Sequence, residues 1–193
     1  QVFGFTAATI TVFLSGIIGS QISSIKLLAT LPTALTVVGT AIFAALAAKI
    51  MSKIGRKLGF ILASLASSIT CLLAAYAIHD RNFILFCIAN LILGAGMAFT
   101  HQYRFAAAES VEKDKAPKAI SIIMLSGIVA AFLGISSANY TKDLFTDFQY
   151  VGSYITLAIF MFMPTIFFSF YENKNTSEIE LNKNHIDRSY FED

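Results

Sequence analysis

Ala48-Lys49-Ile50-Met51-Ser52-Lys53-Ile54-Gly55-Arg56-Lys57 is a short basic hinge between two long apolar segments. It holds Lys49, Lys53, Arg56 and Lys57 in a chain where only 13% of residues are charged. Lys and Arg concentrate in the short cytoplasmic loops of membrane proteins, so this cluster marks a membrane surface. Outward from it, apolar runs of about 20 residues recur in both directions, the length that crosses a hydrocarbon core of about 30 Å. They cover residues 2–20, 33–51, 58–78, 83–107, 117–138 and 151–170. Hydrophobic residues make up 56% of the chain, above the roughly 45–50% of soluble domains. A secretory signal is shorter and occurs once, whereas these runs repeat. The expected fold class is an all-α membrane protein: a bundle of six transmembrane helices over residues 1–170, then a polar tail over 171–193.

The charges orient the bundle. Threading six spans places Lys49, Lys53, Arg56, Lys57, Arg104, Lys113, Lys115, Lys118, Lys174, Lys183 and Arg188 on one side. Only Lys26, Arg81 and Lys142 fall on the other. The positive-inside bias therefore predicts that both termini are cytoplasmic. The tail, with Glu172, Glu178, Glu180, Asp187, Glu192 and Asp193 against three basic residues, reads as a solvated linker. The chain opens at Gln1, already in apolar sequence, and the natural protein is expected to begin earlier.

Several function classes find no support. Basic patches interleaved with aromatics, as nucleic acid would need, are absent. Cys71 and Cys87 lie inside apolar runs with no His or carboxylate at ligand spacing, so they read as small buried hydrophobes, with no metal and no cofactor implied. An enzyme would need convergent carboxylate, His or Cys groups; His101, Arg104 and Glu109 do not form such a set.

The candidate binding residues lie on two segments. In the first, Gly4, Ala8, Thr11, Ser15 and Gly19 fall near one helical face, either a packing seam or, through Thr6, Thr9, Thr11 and Ser15, a solute-lining face. In the fourth, Asn90, Gly94, Met97, His101 and Arg104 follow helical spacing on one face. A polar group at membrane depth is costly and turns toward protein or a wet cavity. Asn90 either bonds a neighbouring helix or lines that cavity; Arg104 either snorkels to the surface or joins it.

The hinge also carries a resemblance. A loop between second and third helices reading Gly-x-x-x-Asp-Arg/Lys-x-Gly-Arg-Arg/Lys marks the major facilitator superfamily of secondary transporters. Lys53, Gly55, Arg56 and Lys57 match its second half, while Ala48 and Ser52 replace its first glycine and its aspartate. The segment Arg104-Phe105-Ala106-Ala107-Ala108-Glu109, followed by Lys118-Ala119-Ile120-Ser121, resembles a subgroup of bacterial members. The resemblance covers essentially the whole chain and implies the N-terminal half of a transporter, built from two inverted three-helix repeats. It further implies a second six-helix half as partner, a small solute bound between the halves, and a bacterial inner membrane. By position it makes Lys53, Gly55, Arg56, Lys57 and Glu109 a conformational latch, with Arg56 paired to Glu109. Two departures weaken a proton-antiport reading: Asn90 stands where proton-coupled members often have arginine, and Gly134 precedes Ile135 rather than proline. A six-helix homodimer and a non-transporting membrane scaffold are the alternatives.

Overall fold

The structure is a computed structural model, and it describes residues 2–145 and 148–170. The described residues form α1 (Val2–Ile22), α2 (Leu31–Ile54), α3 (Arg56–His79), α4 (Phe83–Thr100), α5 (Tyr103–Glu109), α6 (Ala116–Thr141) and α7 (Val151–Ser169). A one-turn 3-10 helix, Lys26–Leu28, leads into α2. Counting α4 and α5 as one span, six helices are long and apolar enough to cross a membrane. The tail expected over 171–193 lies outside the described residues.

Local sequence explains the element ends. Pro32 sits in the first turn of α2, where its missing N–H is not needed. Asn82 caps α4, its side chain accepting from the Leu85 amide at 3.0 Å. Between α2 and α3 the chain turns on Gly55 alone, at φ 82 and ψ 157, a region open essentially only to glycine. That is why a glycine must stand before Arg56. Pro164 lies inside α7, and the helix continues to Ser169.

Packing follows a two-fold pattern. Between helices that are not consecutive in the chain, the main pairings are α2 with α4, α3 with α7, and α1 with α6. With α1–α3 as one repeat and α4–α7 as its counterpart, swapping the repeats exchanges α2–α4 with α1–α6 and returns α3–α7 to itself. Three spans per repeat make the second run inverted relative to the first.

The α2–α4 and α1–α6 seams are set by small residues, since without a hydrophobic drive between helices in lipid, close backbone approach supplies the attraction. Gly39 and Gly94 meet where α2 crosses α4; a Cβ on Gly94 would strike the Thr36 carbonyl and come within 3.0 Å of the Gly39 Cα. A Cβ on Gly134 of α6 would press on Thr9 and Thr6 of α1. The α3–α7 seam is polar instead: Ser64 and Thr165 hydroxyls lie 2.6 Å apart, and Ser68 donates to the Ala158 carbonyl at 2.8 Å.

The exposed surface is uneven. α2 and α6 are the least buried spans. The small-residue stripes of the first, second, fourth and fifth segments predict an open face on the first and fourth with contributions from the second and fifth; the second and fifth, α2 and α6, are the open ones, while α1 and α4 bury about half of their length. On α2, Ala44 and Ala48 are exposed while Ala47 and Gly39 are buried, so part of the small-residue stripe faces outward.

Candidate functional site

The basic hinge forms a connected site at one end of the bundle. Arg56 opens α3 and Glu109 closes α5, and their side chains meet in a two-pronged ion pair. The Arg56 Nε donates to one Glu109 oxygen at 2.5 Å, and its Nη2 donates to the other. Each charge sits at the wrong end of its own helix dipole, a cation at an N-terminus and an anion at a C-terminus. Pairing offsets both penalties, and the planar guanidinium suits a carboxylate in a way an ammonium does not.

Lys57 reaches a third helix, donating from Nζ to the Ser169 carbonyl at the end of α7 at 3.0 Å. A cation at a helix C-terminus satisfies an orphan carbonyl and the dipole together. Consecutive hinge residues thus tie α3 to both α5 and α7. Sequence spacing gave no sign of this contact, because Ser169 lies far along the chain. Ser52, where the family pattern has aspartate, is exposed and only bonds back to the Lys49 carbonyl at 2.8 Å. Lys53 is exposed.

Beneath the ion pair lies an aromatic cluster. Phe60 meets Tyr103 edge-on at 4.6 Å and Phe168 at 4.8 Å between ring centroids. A cavity of about 180 Å³ opens beside them, lined by Arg56, Phe60, Tyr103, Ala106, Ala107, Ser110, Ile123 and Phe168.

The candidate solute residues fall in two places rather than one. Asn90, Thr11 and Ser15 are fully buried. Asn90 donates to the Phe86 carbonyl at 2.8 Å and accepts from the Thr36 hydroxyl of α2 at 3.3 Å. Ser15 lies 2.8 Å from the Thr33 hydroxyl, joining α1 to α2. The Thr11 hydroxyl and the Tyr154 hydroxyl of α7 are buried without a hydrogen-bond partner among the described residues. Neither Thr36 nor Tyr154 stood out in the sequence; the run Thr36, Gly39, Thr40 at i, i+3, i+4 was the available signal.

His101 and Arg104, by contrast, are exposed. The expected continuous stripe is broken because α4 ends at Thr100 and α5 restarts at Tyr103, which turns the later residues off the Asn90 face. His101 meets Phe5 of α1 edge-on at 5.7 Å, and the Arg104 guanidinium lies 5.0 Å over the Phe105 ring. These groups form a polar and aromatic patch where α1 meets the α4–α5 break.

Residues 2–189 match the Major Facilitator Superfamily. The chain belongs to that superfamily. It is also 31% identical over 169 residues to the "Riboflavin transporter RfnT" of Brucella anthropi, an alignment covering 86% of this chain and 42% of that protein. The chain therefore spans less than half the length of this relative. No solved structure matches it. Membership of a transporter family agrees with the six membrane-spanning helices, and among the described residues no group of His, Cys, Asp and Glu could hold a metal ion.

Proposed function

We propose that this superfamily bundle works as one half of a secondary transporter, moving a small solute by alternating access within a cell membrane, with both termini cytoplasmic. The observation that carries the reading is the pair of least-buried helices, α2 and α6, one from each repeat. A second six-helix bundle packed on them would cover the outward small residues Ala44 and Ala48, which favour close helix contact more than lipid. The longer relative has room for such a partner.

In this reading His101 and Arg104 contact the solute at the hinge end of the space between the two halves. Asn90, Thr11 and Ser15 form a polar spine behind it, uncovered only as the two bundles rock. Lys53, Gly55, Arg56, Lys57 and Glu109 act as the latch that holds one conformation. The tail over 171–193 is the start of the connection to the second half.

Riboflavin is the first solute to test, since the similar transporter carries that name. A planar heteroaromatic ring also suits the Phe5, His101 and Arg104 patch, where aromatic edges and a guanidinium face are both on offer. Cells expressing the full-length protein should take up labelled riboflavin saturably, with unlabelled riboflavin competing. Arg104→Ala should cut the apparent affinity by about tenfold, the loss of roughly 1.4 kcal/mol of contact. Uptake no higher than in control cells, with the protein correctly inserted, would exclude riboflavin as the solute.

A further inference from the structure

At the end of the bundle opposite the hinge, two cavities adjoin. The larger, about 640 Å³, is lined by Leu72, Ala75, Tyr76 and His79 of α3, by Phe145 and Phe148 of the α6–α7 connection, and by the start of α7. Its walls are mostly apolar, and its volume lies within the roughly 300–1,000 Å³ of small-molecule sites. The smaller, about 280 Å³, is lined by Gln21, Ile22, Ile78, Arg81, Phe148 and Gln149. Phe148 is common to both, and its ring lies 4.1 Å from the His79 ring.

The arrangement has the polarity of a lipid. Leu72, Ala75, Tyr76 and His79 recur at i, i+3, i+4 and i+7, one face of the last two turns of α3. The apolar cavity therefore extends from the helix end about 10 Å toward the bilayer interior, seven residues at about 1.5 Å each. At its outer end a cation and two amides replace the hydrocarbon walls. Among the described residues no carboxylate lies within ion-pair distance of Arg81. Asp143 of the connection accepts from Gln149 at 3.1 Å and lies 4.0 Å from Lys142. Asp80, next to Arg81, is exposed.

The backbone adds an independent observation. Arg81 holds φ 49 in the turn that closes α3, where the Asn82 amide reaches back to the Ala77 carbonyl at 2.9 Å. Glycine is the usual residue at this position of such a cap. An arginine here accepts a strained backbone and in return places a guanidinium at the rim of the cavity, a pattern that points to a use for the charge.

We propose that this paired cavity binds one anionic phospholipid, its phosphate held by Arg81 at the rim beside Gln21, and an acyl chain lying along Leu72, Tyr76 and Phe145. The guanidinium supplies the charge and paired donors that a phosphate takes, and the acyl chain covers apolar wall that the bilayer faces in any case. This site is independent of the solute reading.

Native mass spectrometry of the delipidated full-length protein, titrated with phosphatidylglycerol or phosphatidylcholine of the same chains, tests it. Phosphatidylglycerol should bind at least tenfold more tightly. Arg81→Gly should bring it down to the phosphatidylcholine level, and this substitution suits the backbone, so a folding defect is not expected to mask the result. Arg81→Asn, which also tolerates the turn, provides a second such variant, and Arg81→Lys should retain a partial preference. Tyr76→Ala should weaken both lipids, and glycerol phosphate alone should not compete. Equal binding of the two lipids, binding unchanged in Arg81→Gly and Arg81→Asn, or displacement by glycerol phosphate would each overturn the proposal. So would loss of the Arg81-dependent adduct because another part of the protein covers the cavity.

Discussion

Gly94→Leu is expected to lower the stability of the folded bundle sharply, while Gly16→Leu leaves it unchanged. Gly94 lies at the point where α2 and α4 are closest, and any side chain there meets the Thr36 carbonyl and the Thr40 amide at once. α2 cannot yield locally, because its Gly39 packs on the α4 backbone at the same point. Separating the helices also breaks the bond from the Thr40 hydroxyl to the Gly94 carbonyl, 3.0 Å, and that between Thr36 and Asn90. Overpacking costs about 1–3 kcal/mol, and each interhelical bond in a membrane about 0.6 kcal/mol. The sum is a large part of a total stability of about 5–15 kcal/mol. Nothing lies within 4 Å of a Cβ built on Gly16, so the same added volume meets no wall there. Thermal melting of the detergent-solubilised protein by fluorescence-detected size exclusion checks this. Equal melting of the two variants would show that the α2–α4 crossing does not set the stability of the bundle.

The second large effect concerns the ion pair. Arg56→Glu sets two carboxylates face to face, and Glu109→Arg sets two guanidiniums; each is expected to depress transport severalfold. The double exchange, Arg56→Glu with Glu109→Arg, should recover much of it and also places each charge at the end of its helix that the dipole favours. Arg56 is about a quarter exposed and Glu109 half exposed, so the pair contributes about 1 kcal/mol and is screened by salt. That shifts a two-state ratio about fivefold. In the proposed cycle that is enough to change the balance of inward- and outward-open forms, and it is too little to unfold the bundle. Initial uptake rates, read beside melting temperatures, separate these outcomes. Single reversals that transport normally, or a double exchange no better than either single, would leave the pair a surface ornament with no part in the cycle.

The class of fold was legible because hydrocarbon imposes one-dimensional rules. Each span must satisfy its own backbone, so apolar length alone marks the six helices, and Gly55 with Arg56 could be placed at a turn before any coordinates. The meeting of Arg56 with Glu109 was also expected, from the family pattern and not from spacing. What periodicity could not supply was the direction each face takes. Asn90, His101 and Arg104 share a helical face only while the helix continues, and the break at His101 and Gln102 separates a buried amide from an exposed imidazole and guanidinium. The share of each helix in the outward face is hidden for a related reason: Ala44, Ala47 and Ala48 are alike in sequence, and only the crossing at Gly39 and Gly94 decides which of them turns inward. Contacts such as Lys57 with Ser169 depend on tertiary closure of α3 on α7 and leave no local trace.

Counterflow in proteoliposomes containing the full-length protein addresses transport by alternating access most directly. Vesicles loaded with unlabelled riboflavin are diluted into a trace of labelled riboflavin, with no ion gradient imposed. A carrier that reorients with solute bound exchanges inner for outer solute faster than the gradient decays, so label should accumulate transiently above its external concentration and then fall. Label that merely equilibrates, or that never enters although the protein is folded and riboflavin is taken up by intact cells, would contradict the two-bundle, alternating-access mechanism.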